Sequence, residues 1–138
     1  MSMENAKKLL EKMGNIFLIT FKEDGMPDAR AVSAVKADGF KTIRMLSHAS
    51  AVKTKEIERD PRCMIYATAM DDDADYAELR LWGRTEILSG REEIDAVWND
   101  AYAAYFPRGK DDPEVRVLKF TTESGQLGTL EGPVALEL

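Results

Sequence analysis

Two short turn signals decide most of what this chain can become. Asp24 and Gly25 with Pro27, and then Asp38 with Gly39, separate three β-rich runs: Ile16 to Phe21, Ala29 to Lys36 and Phe40 to Ser47. Connections this tight cannot carry a crossover, so the three runs are expected to lie side by side as an antiparallel meander. Helical patterns are inserted among the strands instead of alternating with them. Residues 3–13 place Ala6, Leu9, Leu10 and Met13 on one stripe ahead of Gly14, the pattern of a short amphipathic helix and its stop. After the meander, AVKTKEIERD carries Val52 and Ile57 among good helix formers, with Ser50 as the expected N-cap and Pro61 as the stop. The β pattern returns in Cys63 to Met70, with Asp71, Asp72 and Asp73 as a hairpin tip, and in Tyr76 to Leu88, where Leu79 and Leu81 alternate with Glu78 and Arg80. Ser89 to Glu92 has capping-box spacing and opens a stripe of Ile94, Val97, Trp98, Ala101, Tyr102 and Tyr105, the strongest helical pattern in the chain. Phe106 to Pro113 reads as a loop and Val115 to Thr121 as a last strand, while residues 124–138 carry no decisive pattern. Hairpin-linked strands with inserted helices make a mainly β, α+β antiparallel barrel or sandwich, not a parallel βαβ array.

A chain of 138 residues suits a single domain spanning 1–138. Its charge, 19 − 25 = −6, argues against nucleic-acid or anionic-membrane partners, which need a basic face to displace counterions. A local cluster of cations could still hold a small anion. Cys63 is the only cysteine, so an internal disulfide and a cysteine-ligated metal cluster are excluded, and a reducing, cytoplasmic setting is expected. No apolar run approaches the roughly 20 residues of a membrane span, and Met1 to Met13 lacks a signal-peptide core. The acidic residues Asp71, Asp72, Asp73 and Asp75 lack the spacing of a calcium loop and read as a solvated hairpin, so no metal is expected. His48 is the lone histidine, which rules out a multi-histidine metal site; a loop or ligand-contact role is expected of it and no catalytic residue is assigned.

The chemistry concentrates in SHASAVKTKEIERDP, Ser47 to Pro61. Here a strand hands over to a helix whose first turn leaves backbone N–H groups unpaired at the positive end of its dipole, and anions collect at such places. Ser47, His48 and Ser50 add polar side chains, Lys53 and Lys55 add charge, and Arg30 on the neighbouring strand is placed to reach the same mouth. A phosphate would meet charge-assisted bonds there. Taken alone, the stretch reads first as a helix cap followed by a solvated charged face, and only second as a ligand site.

The order of several stretches adds to this. GNIFLITFKEDGMPDARAVSAV, with its xDGxPxxR turn, is followed by IRMLSHASAVKTKEIERDP, a strand ending in a hydroxyl and then a lysine-bearing helix closed by Asp-Pro; LWGRTEIL supplies an apolar-Gly-apolar strand. Together with the Trp98 segment and YFPRGKDDP, these resemble the FMN-binding split-barrel superfamily, the pyridoxamine 5′-phosphate oxidase-like proteins, and within it the bacterial general stress flavoproteins. The resemblance covers nearly the whole chain and rests on order and spacing, no single motif being specific.

The resemblance implies a six-stranded antiparallel split β-barrel with peripheral helices, a homodimer, and FMN in a groove between subunits. By position, Arg30, Ala31 and Val32 would line the flavin, Leu46 and Ser47 would meet the ring edge and ribityl chain, and Lys53 would bind the phosphate, with His48 and Ser50 beside it. Phe106 would border the flavin of the partner subunit. The function implied is that of an FMN-dependent oxidoreductase acting on a small molecule or electron donor; its rivals are a non-catalytic FMN-binding stress protein and the same fold holding deazaflavin or haem, the latter through His48. The chain also departs from the family. Ala51 and Val52 stand where Ser or Arg commonly precede the lysine, and Val35 stands where vitamin-oxidising members have a second lysine. Glu78 replaces a glutamine, Gly128 a late tryptophan, and no C-terminal Arg/His substrate motif is found in ESGQLGTLEGPVALEL. These departures argue against pyridoxamine 5′-phosphate oxidation itself and leave the substrate open.

Overall fold

The computed structural model describes Glu4, Lys8 and residues 16–70 and 76–138. Apart from Glu4 and Lys8, the helix expected over residues 3–13 lies outside the described residues, as does the Asp71 to Asp73 tip. Eight strands form one antiparallel sheet: β1 (Ile16–Phe21), β2 (Pro27–Val32), β3 (Ala34–Asp38), β4 (Thr42–His48), β5 (Arg62–Met70), β6 (Tyr76–Leu88), β7 (Val115–Thr129) and β8 (Gly132–Ala135). Their order is β2-β1-β5-β6-β7-β4-β3, with β8 added to β7. The two ends of that path, β2 and β3, are successive pieces of chain separated only by Ser33. The sheet therefore curls back on itself as a split β-barrel, with eight strands where six were expected.

Two differences account for the count. The strand expected over Ala29 to Lys36 is cut at Ser33, because its first half pairs with β1 (Ala31 opposite Phe17, Val32 opposite Ile16) and its second half with β4 (Ala34 opposite Met45). A bulge follows at once, since Ala34 and Lys36 oppose the consecutive residues Met45 and Arg44 and leave Val35 as the extra residue. The tail, which carried no sequence signal, extends β7 to Thr129 and returns as β8, with Leu127 fully buried and Gly132 turning at φ 115°.

The barrel interior is closed by Leu18, Met45, Ile65, Leu81, Leu118, Phe120 and Leu127. A smaller apolar cluster outside it joins Ile94, Val97, Phe106, Val115 and Val117, with Val35, Leu46 and Trp98 against them. The helix expected from Ser89 to Tyr105 is therefore a correction: helical structure covers only α2 (Arg91–Asp95), and a 3-10 turn runs from Asp100 to Ala104. The helix ends at Asp95, and Asn99, with an extended backbone and a side chain that accepts from the Ala101 N–H, starts the 3-10 turn separately. Of the apolar stripe, Ile94 and Val97 stay buried, whereas Ala101 and Tyr105 are exposed, so the pattern holds only over its first turn.

The other helix, α1 (Val52–Arg59), has Ala51 as its N-cap and no side-chain cap. Ser50 was expected there, but its N–H donates to the Glu114 carboxylate (2.9 Å), while Thr54 returns its hydroxyl to the His48 carbonyl (2.7 Å). These bonds fix how α1 leaves the end of β4.

Gly83 sits where β7 slips register against β6, and a Cβ there would stand 2.0 Å from the Thr121 carbonyl oxygen. Backbone at that distance cannot yield as a flexible side chain would. Gly83→Ala is expected to destabilise the chain by about 3 kcal/mol or more, read as a fall in the denaturant midpoint. Gly90→Ala, whose Cβ would meet only a Glu93 methylene at 3.9 Å, should move it by no more than about 0.5 kcal/mol.

Candidate functional site

Where the cut strand meets β4 and α1, a cavity of about 410 Å³ opens. Ala31, Val32, Ser33 and Val35 form one wall; Leu46, Ser47 and His48 at the end of β4 form the second; Lys53 of α1 and the ring-bearing Tyr102, Tyr105 and Phe106 complete it. The local sequence explains this lining. The cut at Ser33 and the bulge at Val35 turn successive side chains of one strand toward the same space, and the broken helix delivers three aromatic residues to its rim. Of the eight expected ligand residues, Ala31, Val32, Leu46, Ser47, His48 and Lys53 share the cavity, and Arg30 and Ser50 do not line it.

The hydroxyl and the imidazole in the cavity are already bonded within the protein. Thr54 commits its hydrogen to the His48 carbonyl, so the 2.8 Å bond between Ser47 Oγ and Thr54 Oγ1 is donated by Ser47. Ser47 thus offers a ligand lone pairs, not a hydrogen. His48 Nε2 lies 2.7 Å from the Tyr105 carbonyl oxygen; a carbonyl only accepts, so Nε2 carries the proton and, in the neutral ring, Nδ1 is the free acceptor. The same ring stacks on Phe106 with centroids 4.3 Å apart, which holds it at the rim.

Lys53 differs from both. Its ammonium is half-buried, and no carboxylate among the described residues pairs with it. Burial, and secondarily the positive charge of Arg30, hold its pKa below the ordinary lysine value. Lys55, by contrast, is exposed and reaches only Glu58 (3.7 Å).

Arg30 is turned toward α1. Its guanidinium donates to Thr20 Oγ1 (2.7 Å), to the Leu18 carbonyl (3.2 Å) and to Glu56 Oε1 (3.1 Å), and it lies 3.0 Å from Asp28 Oδ2. Glu56 is only 3% exposed, although its place in a run of charged residues read as a solvated face. Burial, and then the neighbouring Asp28, raise its carboxyl above the usual range, with Arg30 opposing them. Sequence reasoning missed Thr20, Thr54 and Glu56 because their partners lie 36, 7 and 26 residues away; for Glu56 the one available signal was its position beside the buried Ile57.

Two departures noted in the sequence prove to be neighbours. Glu78 and Gly128 face each other across β6 and β7, outside the cavity, and a Cβ on Gly128 would come within 3.3 Å of the Glu78 side chain. Glu78 there accepts the Tyr66 hydroxyl and pairs with Arg80 at 2.7 Å, which drives the Tyr66 pKa up to about 12.

Comparison with known proteins places this geometry. Residues 2–131 match the family model described as pyridoxamine 5′-phosphate oxidase like. The chain belongs to this family. A Clostridium acetobutylicum protein related to general stress protein 26 of Bacillus subtilis is similar over 98% of this chain and 93% of its own, at 27% identity and TM-score 0.82. General stress protein 26 of Bacillus anthracis (14% identity, 96% and 97% covered, TM-score 0.72) shares the fold. So does a haem-binding protein of Mycobacterium smegmatis (21% identity, TM-score 0.75), matched over 99% of this chain and 58% of its own length. No curated protein matches the chain. No helix among the described residues is long and apolar enough to cross a membrane.

An ammonium held below its ordinary pKa tells against folding. Because the folded value lies below the unfolded one, stability is lost as pH falls from the ordinary lysine value, and the cost is fully present at neutral pH. Lys53→Met should therefore raise thermal stability at neutral pH by an amount on the order of 0.5 kcal/mol. The gain should shrink as the buffer is taken toward pH values above the shifted pKa, as followed by thermal melts.

Proposed function

We propose that this family member binds FMN in the cavity and serves as an FMN-dependent oxidoreductase. The observation that carries the reading is Lys53, a half-buried ammonium with no carboxylate partner among the described residues, in a cavity of about 410 Å³ whose other walls are mostly aliphatic and aromatic, a size within the range of small-molecule sites. An anionic head with a flat, largely apolar body fits that polarity, and a phosphorylated flavin has both. Bound FMN would supply hydride or electron transfer. The chain's own residues then hold and orient. Lys53 binds the phosphate by a charge-assisted bond. Ala31, Val32 and Leu46 offer small or aliphatic surface to a ring, and the lone pairs of Ser47 accept from a hydroxylated chain. A second copy of the chain covers the open side, where Tyr105 stands 68% exposed at the rim. The setting we assign is the cytoplasm, with the Cys63 thiol reduced and buried.

A second reading has its own support. The hydrogens of Ser47 and His48 are spent on Thr54 and Tyr105, so neither of these two groups donates into the cavity, as suits a non-catalytic FMN carrier or sensor. A haem ligated by His48 Nε2 is disfavoured, because that nitrogen already donates to a carbonyl. The visible spectrum of the purified protein separates the ligands, flavin bands supporting the proposal and a Soret band overturning it. Turnover of reduced nicotinamide by the FMN-loaded protein separates enzyme from carrier.

Lys53→Glu is expected to weaken FMN binding by at least about tenfold while the far-UV circular dichroism stays unchanged. Equal FMN affinity in this variant would remove the phosphate assignment.

A further inference from the structure

The charges beside the cavity form a line. Lys53 faces the cavity, Arg30 acts on Lys53 from behind, and Arg30 is in turn held by Glu56 at 3.1 Å and Asp28 at 3.0 Å. The groups facing Glu56 are few. From β2 come Arg30 and Asp28, and from β1 the fully buried Thr20 hydroxyl, within 3.4 Å; β6 also packs against α1, and the leading influences on Glu56 are its burial, Asp28 and Arg30. Lys53 lies one turn earlier on the same helix. With both carboxylates ionised, Arg30, Glu56 and Asp28 together carry +1 − 2 = −1, and that excess negative charge opposes an anion arriving at Lys53.

We propose that Glu56 is a positioning residue: with Asp28 it clamps the Arg30 guanidinium to the barrel wall, and an anion entering at Lys53 escapes the excess negative charge of that clamp only as Glu56 takes up a proton. The inference rests on the reading of Lys53 as the phosphate end. Anion binding is then coupled to proton uptake. The sign follows from linkage: an anion disfavours a nearby carboxylate, so it raises the Glu56 pKa further, and affinity rises as pH falls through the window between the free and bound values. Burial already lifts that window above the usual carboxylate range. Glu56 and Asp28 thereby act as a charge filter, holding an anion firmly in mildly acidic conditions and releasing it more readily in alkaline ones.

Sulfate is a suitable probe, because its charge does not change over the pH range in question. In the wild-type chain, the rise in Tm caused by sulfate, measured against chloride at equal ionic strength, is expected to grow between about pH 8 and about pH 5. In Glu56→Gln the rise should be as large at the alkaline end as at the acidic end, and Asp28→Asn, a second variant at a more exposed position, should shift the profile the same way by less. FMN should bind Glu56→Gln about tenfold more tightly than wild type near pH 8, whereas riboflavin, which lacks the phosphate, should bind both equally. A sulfate profile in Glu56→Gln that parallels wild type overturns the proposal, as does a gain in riboflavin affinity equal to that for FMN. Flavin that binds with neither difference sinks this inference alone. A sulfate profile as expected, with no flavin bound by any form, sinks the FMN reading and leaves the proton-coupled anion site standing.

Discussion

One strand has to serve both ends of the sheet. Residues 27–38 pair with β1 before Ser33 and with β4 after it, and most of what distinguishes this molecule follows from that double duty. A continuous straight strand could not turn from one neighbour to the other, so the ladder breaks at Ser33 and carries a bulge at Val35. Those two irregularities leave a gap beside the barrel that regular pairing would have filled, and the end of β4, the start of α1 and the aromatic loop border it. The site is thus a by-product of closing the sheet, and its position needs no element beyond those that close it.

The polar groups at the gap divide into those that build it and the one that is left over. Ser47 and Thr54 tie the last residues of β4 to the first turn of α1, and His48 ties the same corner to Tyr105 and Phe106. Buried hydroxyls of this kind cost free energy unless they are bonded, and here each bond also pins one wall of the cavity to another. Lys53 takes part in none of this. A half-buried ammonium without a counter-ion is an expense that a merely structural residue would not retain, and such perturbed groups gather at functional positions.

How far the sequence announced this can be judged element by element. The β1–β2 and β3–β4 hairpins were legible because their turns are local: Asp24 bonds Met26, and Gly25 and Gly39 sit at positive φ; the placing of β2 and β3 at opposite ends of the strand order, in place of one three-stranded meander, was not. The apolar stripe from Ile94 onward marked Ile94 and Val97 as buried but failed at Ala101 and Tyr105, which are exposed, because a side-chain pattern does not reveal that the helix ends at Asp95. The break at Ser33 carried no glycine or proline to signal it; it is forced by pairing with strands before and after. Ser50 looked like a cap on local grounds and lost that role to a contact from Glu114, 64 residues away. The six residues that share the cavity were grouped by the family resemblance; strand alternation alone would have sent consecutive residues such as Ala31 and Val32 to opposite faces. Arg30 escaped because its carboxylate partner lies in another element, 26 residues on.

That last difference changes the chemistry, not just the bookkeeping of residues. Two cations facing one cavity would bind almost any anion tightly at any physiological pH, and the stability cost of holding them together without counter-ions would be larger still. Pairing Arg30 with Glu56 and Asp28 removes most of that cost, while Thr20 and the Leu18 carbonyl satisfy the remaining guanidinium donors. What remains is the attraction of Lys53, opposed by one excess negative charge on a carboxylate whose burial already favours its protonated form. A barrel that closed without the cut at Ser33 would have no gap for an anion. A helix that placed a neutral residue at position 56 would leave Arg30 balanced by Asp28 alone, with no excess negative charge to shed at any pH. The arrangement therefore joins a constraint of sheet geometry to a constraint of charge, and the cavity exists as a selective site only where the two coincide.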